Sequence, residues 1–222
     1  MVMARLWQIP NLLLLLALIA QVALYPLLHT QAHGKAALAV VDWLILVLAL
    51  RAARSSGSVS RLGYILLVPA IGLNALVAFW PNHIAILWSF AAQCAFHSFV
   101  IVCLLRYILS DDDMTVDELY AAASLYVLMA FAFSFLFAAV EQLVPGSFYI
   151  NPANNPDDVV GWWDLVYFSF TCLTSVGFGE ITPVSDYARS VVMIEQMSGV
   201  LFLAIVISRL ISMHSNRQRG AS

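Results

Sequence analysis

Six apolar runs recur along this chain of 222 residues, at 11–28, 36–50, 62–79, 84–109, from 116 or 119 to 140, and 187–211. A hydrocarbon core takes about 20 apolar residues in a helix, and lipid leaves backbone groups no partners outside their own segment. The runs therefore predict an all-α membrane protein with six transmembrane helices. A hydrophobic content of 62% fits that class and no ordinary soluble domain. No small-residue cleavage pattern follows the first run, so it reads as a retained span rather than a signal peptide. Cys94, Cys103 and Cys172 are odd in number and set in apolar context, so they read as buried hydrophobes, not a disulfide framework. A net charge of -3 without a basic stripe argues against a nucleic-acid partner.

Arginine placement orients the spans. Arg51, Arg54 and Arg61 crowd a serine-rich loop after the second run, and Arg5, Arg209, Arg217 and Arg219 lie near the ends. By the positive-inside rule these sites, and both termini, are cytoplasmic. Trp7 and Tyr25 are expected as interfacial anchors. The second run is short for a crossing and contains Asp42, which beside Trp43 is expected to reach interfacial water. Pro69 and Gly72 are candidate kink sites in the third run. The fourth carries a single basic residue, Arg106, with His97 nearer its middle. Asp111, Asp112 and Asp113 then read as a solvated helix start, and Thr115 with Glu118 as a capping box. Phe131, Phe133, Phe135 and Phe137 alternate as in a strand, but the length of the run decides for helix. Residues 145–161 are rich in proline, asparagine and aspartate and read as an exposed turret.

Trp162–Leu173 is too short to cross a bilayer and leads straight into Thr174-Ser175-Val176-Gly177-Phe178-Gly179-Glu180. Two glycines around one aromatic allow dihedrals that alternate in sign, so that successive carbonyls point the same way. A ring of such strands can offer those oxygens to a dehydrated cation. The stretch from Tyr167 to Leu203 resembles, without gaps, the filter region of potassium channels, and its TSVGFG core is similar to that of the ether-a-go-go-related channels. The resemblance implies a re-entrant pore helix, a selectivity-filter loop and a homotetramer. It implies potassium ions held by carbonyls of Ser175, Val176, Gly177 and Phe178, with Gly179 closing the filter and the Ser175 hydroxyl adding the innermost ring. The pore helix would turn its carbonyl end, around Cys172 and Leu173, toward a water-filled cavity.

Departures from the family pattern concern the filter's support. Cys172 and Ser175 replace threonine, Phe178 replaces tyrosine, and Glu180 replaces aspartate, beside Thr174. Phe168 is expected at the position of the family tryptophan that pairs with the outer carboxylate, and it has no donor. A loosened restraint behind the filter follows, with easier inactivation or weaker potassium selectivity. Asp157, Asp158, Glu180 and Asp186 are candidates for raising cation concentration at the outer mouth. Gly199 aligns with a family hinge glycine, and close helix packing is its alternative role. Val200, Leu203, Ile207 and Ile211 share one helical face suited to an inner cavity and gate. Glu195 is the costliest side chain of the last helix, with Gln196 of a neighbour, Arg189 or the backbone behind the filter as candidate partners.

These observations divide the chain into a four-helix sensor-like unit (1–110), a cytoplasmic linker (111–118), a pore unit (119–211) and a short cytoplasmic tail (212–222). The expected function is passive potassium conduction with weak or absent voltage gating, because no arginine ladder is present. A weakly selective cation channel of the same architecture and a non-conducting regulatory or scaffold subunit remain open alternatives. No nucleophile motif, metal-protease motif or convergent His–carboxylate group points to an enzyme. No cofactor is expected beyond permeant potassium. Expected partners are membrane lipids, identical subunits and an unidentified regulatory subunit or ligand, in a plasma or prokaryotic inner membrane.

Overall fold

The computed structural model describes the backbone at 10–28, 34–55, 61–110, 115–153 and 159–220. Among these residues run α1 (Pro10–Leu28), α2 (Gly34–Ser55), α3 (Arg61–Phe79), α4 (His83–Ile108), α5 (Val116–Leu143), β1 (Phe148–Ile150), α6 (Trp162–Leu173), β2 (Ile181–Pro183) and α7 (Asp186–Gly220). Arg5, Trp7, Asp111, Asp112, Asp113, Asp157 and Asp158 lie outside the described residues, as does the side chain of Ile211.

Among the described residues five helices, α1, α3, α4, α5 and the 186–209 part of α7, are long and apolar enough to cross a membrane. At 22 residues α2 rises about 33 Å, but it carries Lys35, Asp42, Arg51 and Arg54. It also runs five residues past its expected end, so Arg51 and Arg54 belong to the helix rather than to the following loop. Arginine stems extend along apolar surface while their heads find polar partners, and Arg54 donates to the Tyr64 hydroxyl at 2.8 Å.

Asp42 departs from expectation in the same way. Its carboxylate accepts a hydrogen bond from Gln21 of α1, since two polar groups on adjacent helices are satisfied more cheaply by each other than by separate routes to water. Tyr25, expected as an interfacial anchor, stacks on Trp163 with centroids 3.7 Å apart. His97 is buried, with Nδ1 donating to the Gln93 carbonyl at 2.8 Å.

Side-chain caps start at least three of the helices, α7 among them, where Ser185 Oγ accepts from Ala188 N at 3.2 Å. Asn82 Oδ1 accepts from Ala85 N at 2.8 Å to open α4. Thr115 and Glu118 form the expected capping box, with the Glu118 carboxylate accepting from Thr115 N at 2.7 Å. The boundary expected at 118 and 119 thus falls inside the first turn of α5. From there α5 serves as the central post, packed along α4 and α1 on one side and α6 and α7 on the other. Asn11 ties α1 to its base: its amide donates to Asp117 at 2.6 Å, and its carbonyl accepts from Ser124 at 3.2 Å.

Two strands were not expected. Within the turret, β1 pairs antiparallel with β2 just beyond the glycine-rich segment, in the register Phe148 with Pro183, Tyr149 with Thr182 and Ile150 with Ile181. Glu141 at the end of α5 accepts from Gly146 N and Phe148 N at 2.7 and 3.0 Å, and so shapes the turn into β1. The stretch from 212 to 220, expected as a polar tail, continues α7 as helix. It contains no proline to stop a ladder that propagates one bond per residue.

Candidate functional site

The last four carbonyls of α6 have no partners within the helix, and all four find donors. Phe170 accepts from Thr174 N at 3.1 Å, and from Thr174 Oγ1 at 2.7 Å. Thr171 accepts from Val176 N at 3.0 Å and Gly177 N at 3.2 Å, and Cys172 from Ser175 N at 3.0 Å. Leu173 accepts from the Tyr126 hydroxyl of α5 at 3.0 Å.

This arrangement orients the segment beyond the helix. The peptide bonds are trans, so each carbonyl points opposite to the N–H of the same peptide plane. With the N–H groups of Ser175, Val176 and Gly177 turned back to α6, the carbonyls of Thr174, Ser175 and Val176 turn away from it. Positive φ falls on Ser175 (60°), Gly177 (55°) and Gly179 (82°) and on neither residue between them, so the expected alternation of sign is present. Ser175 adopts the left-handed region at a cost of about 1–2 kcal/mol for a residue with a β-carbon. The side chains of Val176 and Phe178 are 54% and 69% exposed in a single chain, which leaves much of both open to a neighbour.

Support behind this segment differs from expectation at one position. Phe168 lacks a donor, yet the outer carboxylate is not left without one: the Tyr167 hydroxyl hydrogen-bonds to Glu180, which raises the phenol's pKa above its ordinary value, followed in effect by burial and by the Glu180 charge. The two residues occupy different faces of α6. Tyr167 faces outward and stacks parallel to Phe178 at 6.3 Å. Phe168 is buried against Phe137 and Phe148 at 5.4 and 5.6 Å, where it joins α6 to α5 and β1. Of the adjacent aromatics at 167 and 168, only the tyrosine carries a donor. Cys172 is buried in the same cluster, while Thr174 is exposed.

On α7 one stripe, Ala188, Val192, Glu195, Gly199 and Phe202, is buried at helical spacing. Gly199 lies against the end of α6: a β-carbon there would meet the Leu173 carbonyl oxygen at 2.4 Å. Glu195 is fully buried and its partner is Ser169 of α6, not one of the three expected groups. Ser169 Oγ also lies 2.8 Å from the Ala130 carbonyl. A hydroxyl has one proton, so if it donates to Ala130, the contact with Glu195 requires a proton on the carboxyl. Val200, Leu203 and Ile207 occupy an exposed face beside the buried stripe. No group of three or more His, Cys, Asp or Glu side chains able to hold a metal occurs among the described residues.

Residues 121–216, from α5 through most of α7, match a family described as ion channel. A 55-residue stretch is 36% identical to the potassium channel protein kcv of Paramecium bursaria Chlorella virus 1 and covers 24% of this chain and 58% of that protein. The chain thus matches a little over half the length of the viral relative, and no solved structure matches it. The α5–α6–α7 unit described above thus matches an ion channel family and is similar in part to a viral potassium channel, in a chain whose apolar helices fit a membrane protein.

Proposed function

We propose that this protein conducts potassium passively through a homotetrameric pore, with Thr174–Glu180 as one of four filter strands. The observation that carries the reading is the pinning of three successive N–H groups to the end of α6, which directs the Thr174, Ser175 and Val176 carbonyls to the opposite side. One chain supplies one such row, and several rows around an axis are needed to replace the hydration of an ion. The carbonyls of Gly177 and Phe178 and the hydroxyl of Ser175 extend the row. Val200, Leu203 and Ile207 line the inner cavity below it. The exposed Val176, Phe178 and outer faces of α7 supply surface for neighbouring subunits.

On this reading α6 enters the membrane from outside and ends halfway, and α2 completes six crossings by pairing Asp42 with Gln21 of α1 and Arg54 with Tyr64 of α3. Both termini are cytoplasmic. Voltage has little to act on in α4, where Arg106 is the one permanently charged side chain. The Tyr167 bond to Glu180 supplies the restraint that Phe168 lacks and favours a selective filter over a relaxed one.

The test is flux from purified protein in liposomes under a potassium gradient, repeated with sodium, with Gly177→Ala as the inactive control. At φ 55° the substitution strains the backbone although nothing within 4 Å blocks the new carbon. Potassium flux that sodium does not support is the expected result; equal flux of both ions, or none from an assembled tetramer, refutes the proposal.

A further inference from the structure

A cavity of about 320 Å³ lies between the first four helices and the start of α6, and ion conduction makes no use of it. Its polar wall includes Gln21, Asp42 and Asn74, and its aromatic wall Tyr25, Phe90 and Trp162. Gln21 and Asp42 sit about 10–12 Å in from the adjoining ends of α1 and α2, at 1.5 Å per residue. The volume is at the lower end of the range for small-molecule sites.

Charge narrows the ligand class. None of the lining residues is basic, and Asp164, which acts electrostatically on Tyr25, places a second carboxylate nearby. Gln21 holds one Asp42 oxygen and so orients the carboxylate. Beneath, a void of about 10 Å³ bordered by Gln21, Asp42, Gln93 and His97 has room for about one water, and the buried Gln93 Oε1 there has no partner. The floor is polar and the walls are aromatic. A purely apolar ligand would leave Asp42 without a counter-charge in a membrane domain. A bare alkali cation would find too few oxygens and would make no use of the rings. An ammonium group answers the carboxylate and attracts aromatic faces at the same time.

We propose that this cavity binds a small organic ammonium ion carrying an aromatic or apolar body, with Asp42 as its counter-charge. Bound there, the ligand bridges the four-helix unit to Trp162, the first residue of α6, and so touches the element that positions the candidate filter.

The test measures binding rather than conduction, so its outcome is separate from that of the channel reading. Phenethylammonium and its neutral analogue 2-phenylethanol are titrated into protein in zwitterionic lipid nanodiscs by calorimetry. The ammonium should bind saturably and at least ~10-fold more tightly than the alcohol. Asp42→Asn should remove that preference, and Asp42→Glu should keep it. Equal binding of the two probes to the unaltered protein overturns the proposal without reliance on any variant, as does the absence of saturable ammonium binding. An ammonium preference that survives in folded Asp42→Asn protein overturns it as well.

Discussion

Gly199→Ala tests the packing of the inner helix against the end of α6. The new β-carbon would lie 2.4 Å from the Leu173 carbonyl oxygen and 3.0 Å from Leu173 Cδ1. Backbone oxygen cannot rotate away, so relief to an ordinary contact of about 3.5 Å needs a shift of roughly 1 Å between the helices. Overpacking of that kind costs about 1–3 kcal/mol. A shift of this size would also strain the Tyr126 hydrogen bond to the same oxygen, adding about 1 kcal/mol. The sum, roughly 2–4 kcal/mol per subunit, corresponds to a drop in Tm of roughly 4–16 °C for a chain of this size. Tryptophan fluorescence during heating in nanodiscs reads the change, and liposome flux reads its effect on the pore. Gly72→Ala is the control, because nothing lies within 4 Å of its β-carbon; alanine there should be neutral or stabilise by up to about 1 kcal/mol. An unchanged Tm for Gly199→Ala would refute the close approach, and unchanged Tm with altered open probability would favour a hinge.

Tyr167→Phe should speed the decline of potassium flux or lower the preference over sodium, and Phe168→Tyr should not rescue it, because Phe168 is buried on another face; flux and reversal-potential measurements compare the variants. The Tyr167 phenol is raised by its Glu180 bond, so the restraint is complete below the ordinary tyrosine value near 10 and is lost as external pH rises through the higher folded value. Wild-type flux that declines at alkaline pH no more than that of Tyr167→Phe would count against this role. Glu195→Gln should be nearly neutral, since an amide can still donate to Ser169, whereas Glu195→Ala opens a buried void and should cost about 1–3 kcal/mol in thermal stability; equal Tm values for the two variants would show that the hydrogen bond contributes nothing. Asn11→Ala leaves Asp117 short of a donor and should destabilise by about 1–2 kcal/mol, read as a Tm shift that Asp117→Asn does not add to fully.

Helices were legible in the sequence wherever apolar length decided the outcome. The bounds of α6 agree with expectation because the glycine-rich segment ends it, and the alternating φ signs followed from which residues tolerate them. What escaped depends on partners distant in the chain. The β1–β2 pairing joins residues more than thirty apart, and three-residue strands inside a turret carry no periodicity. Asp42 was assigned to water because Trp43 beside it suggests interface depth, while Gln21, the group that answers it, lies on a different helix. Glu195 was recognised as costly, but nothing about Ser169 marks it as the answering group. Phe168 is placed by alignment with a family residue, whereas the hydroxyl that reaches Glu180 belongs to Tyr167, about 100° away around the helix.

The β1–β2 ladder also bears on how this chain tolerates change. Its pairs from Ile150–Ile181 outward close the intervening stretch into a loop fastened at its base, and Asn151 N adds a bond to the Glu180 carbonyl at 2.9 Å. Closing a loop costs little more as it lengthens, about 0.6 kcal/mol for each doubling. Residues inserted between Asn151 and the start of α6 would therefore extend the loop's far side while its fastened end stays in place. Insertions of different length, a reporter tag among them, should then be accepted there without altering the carbonyl row.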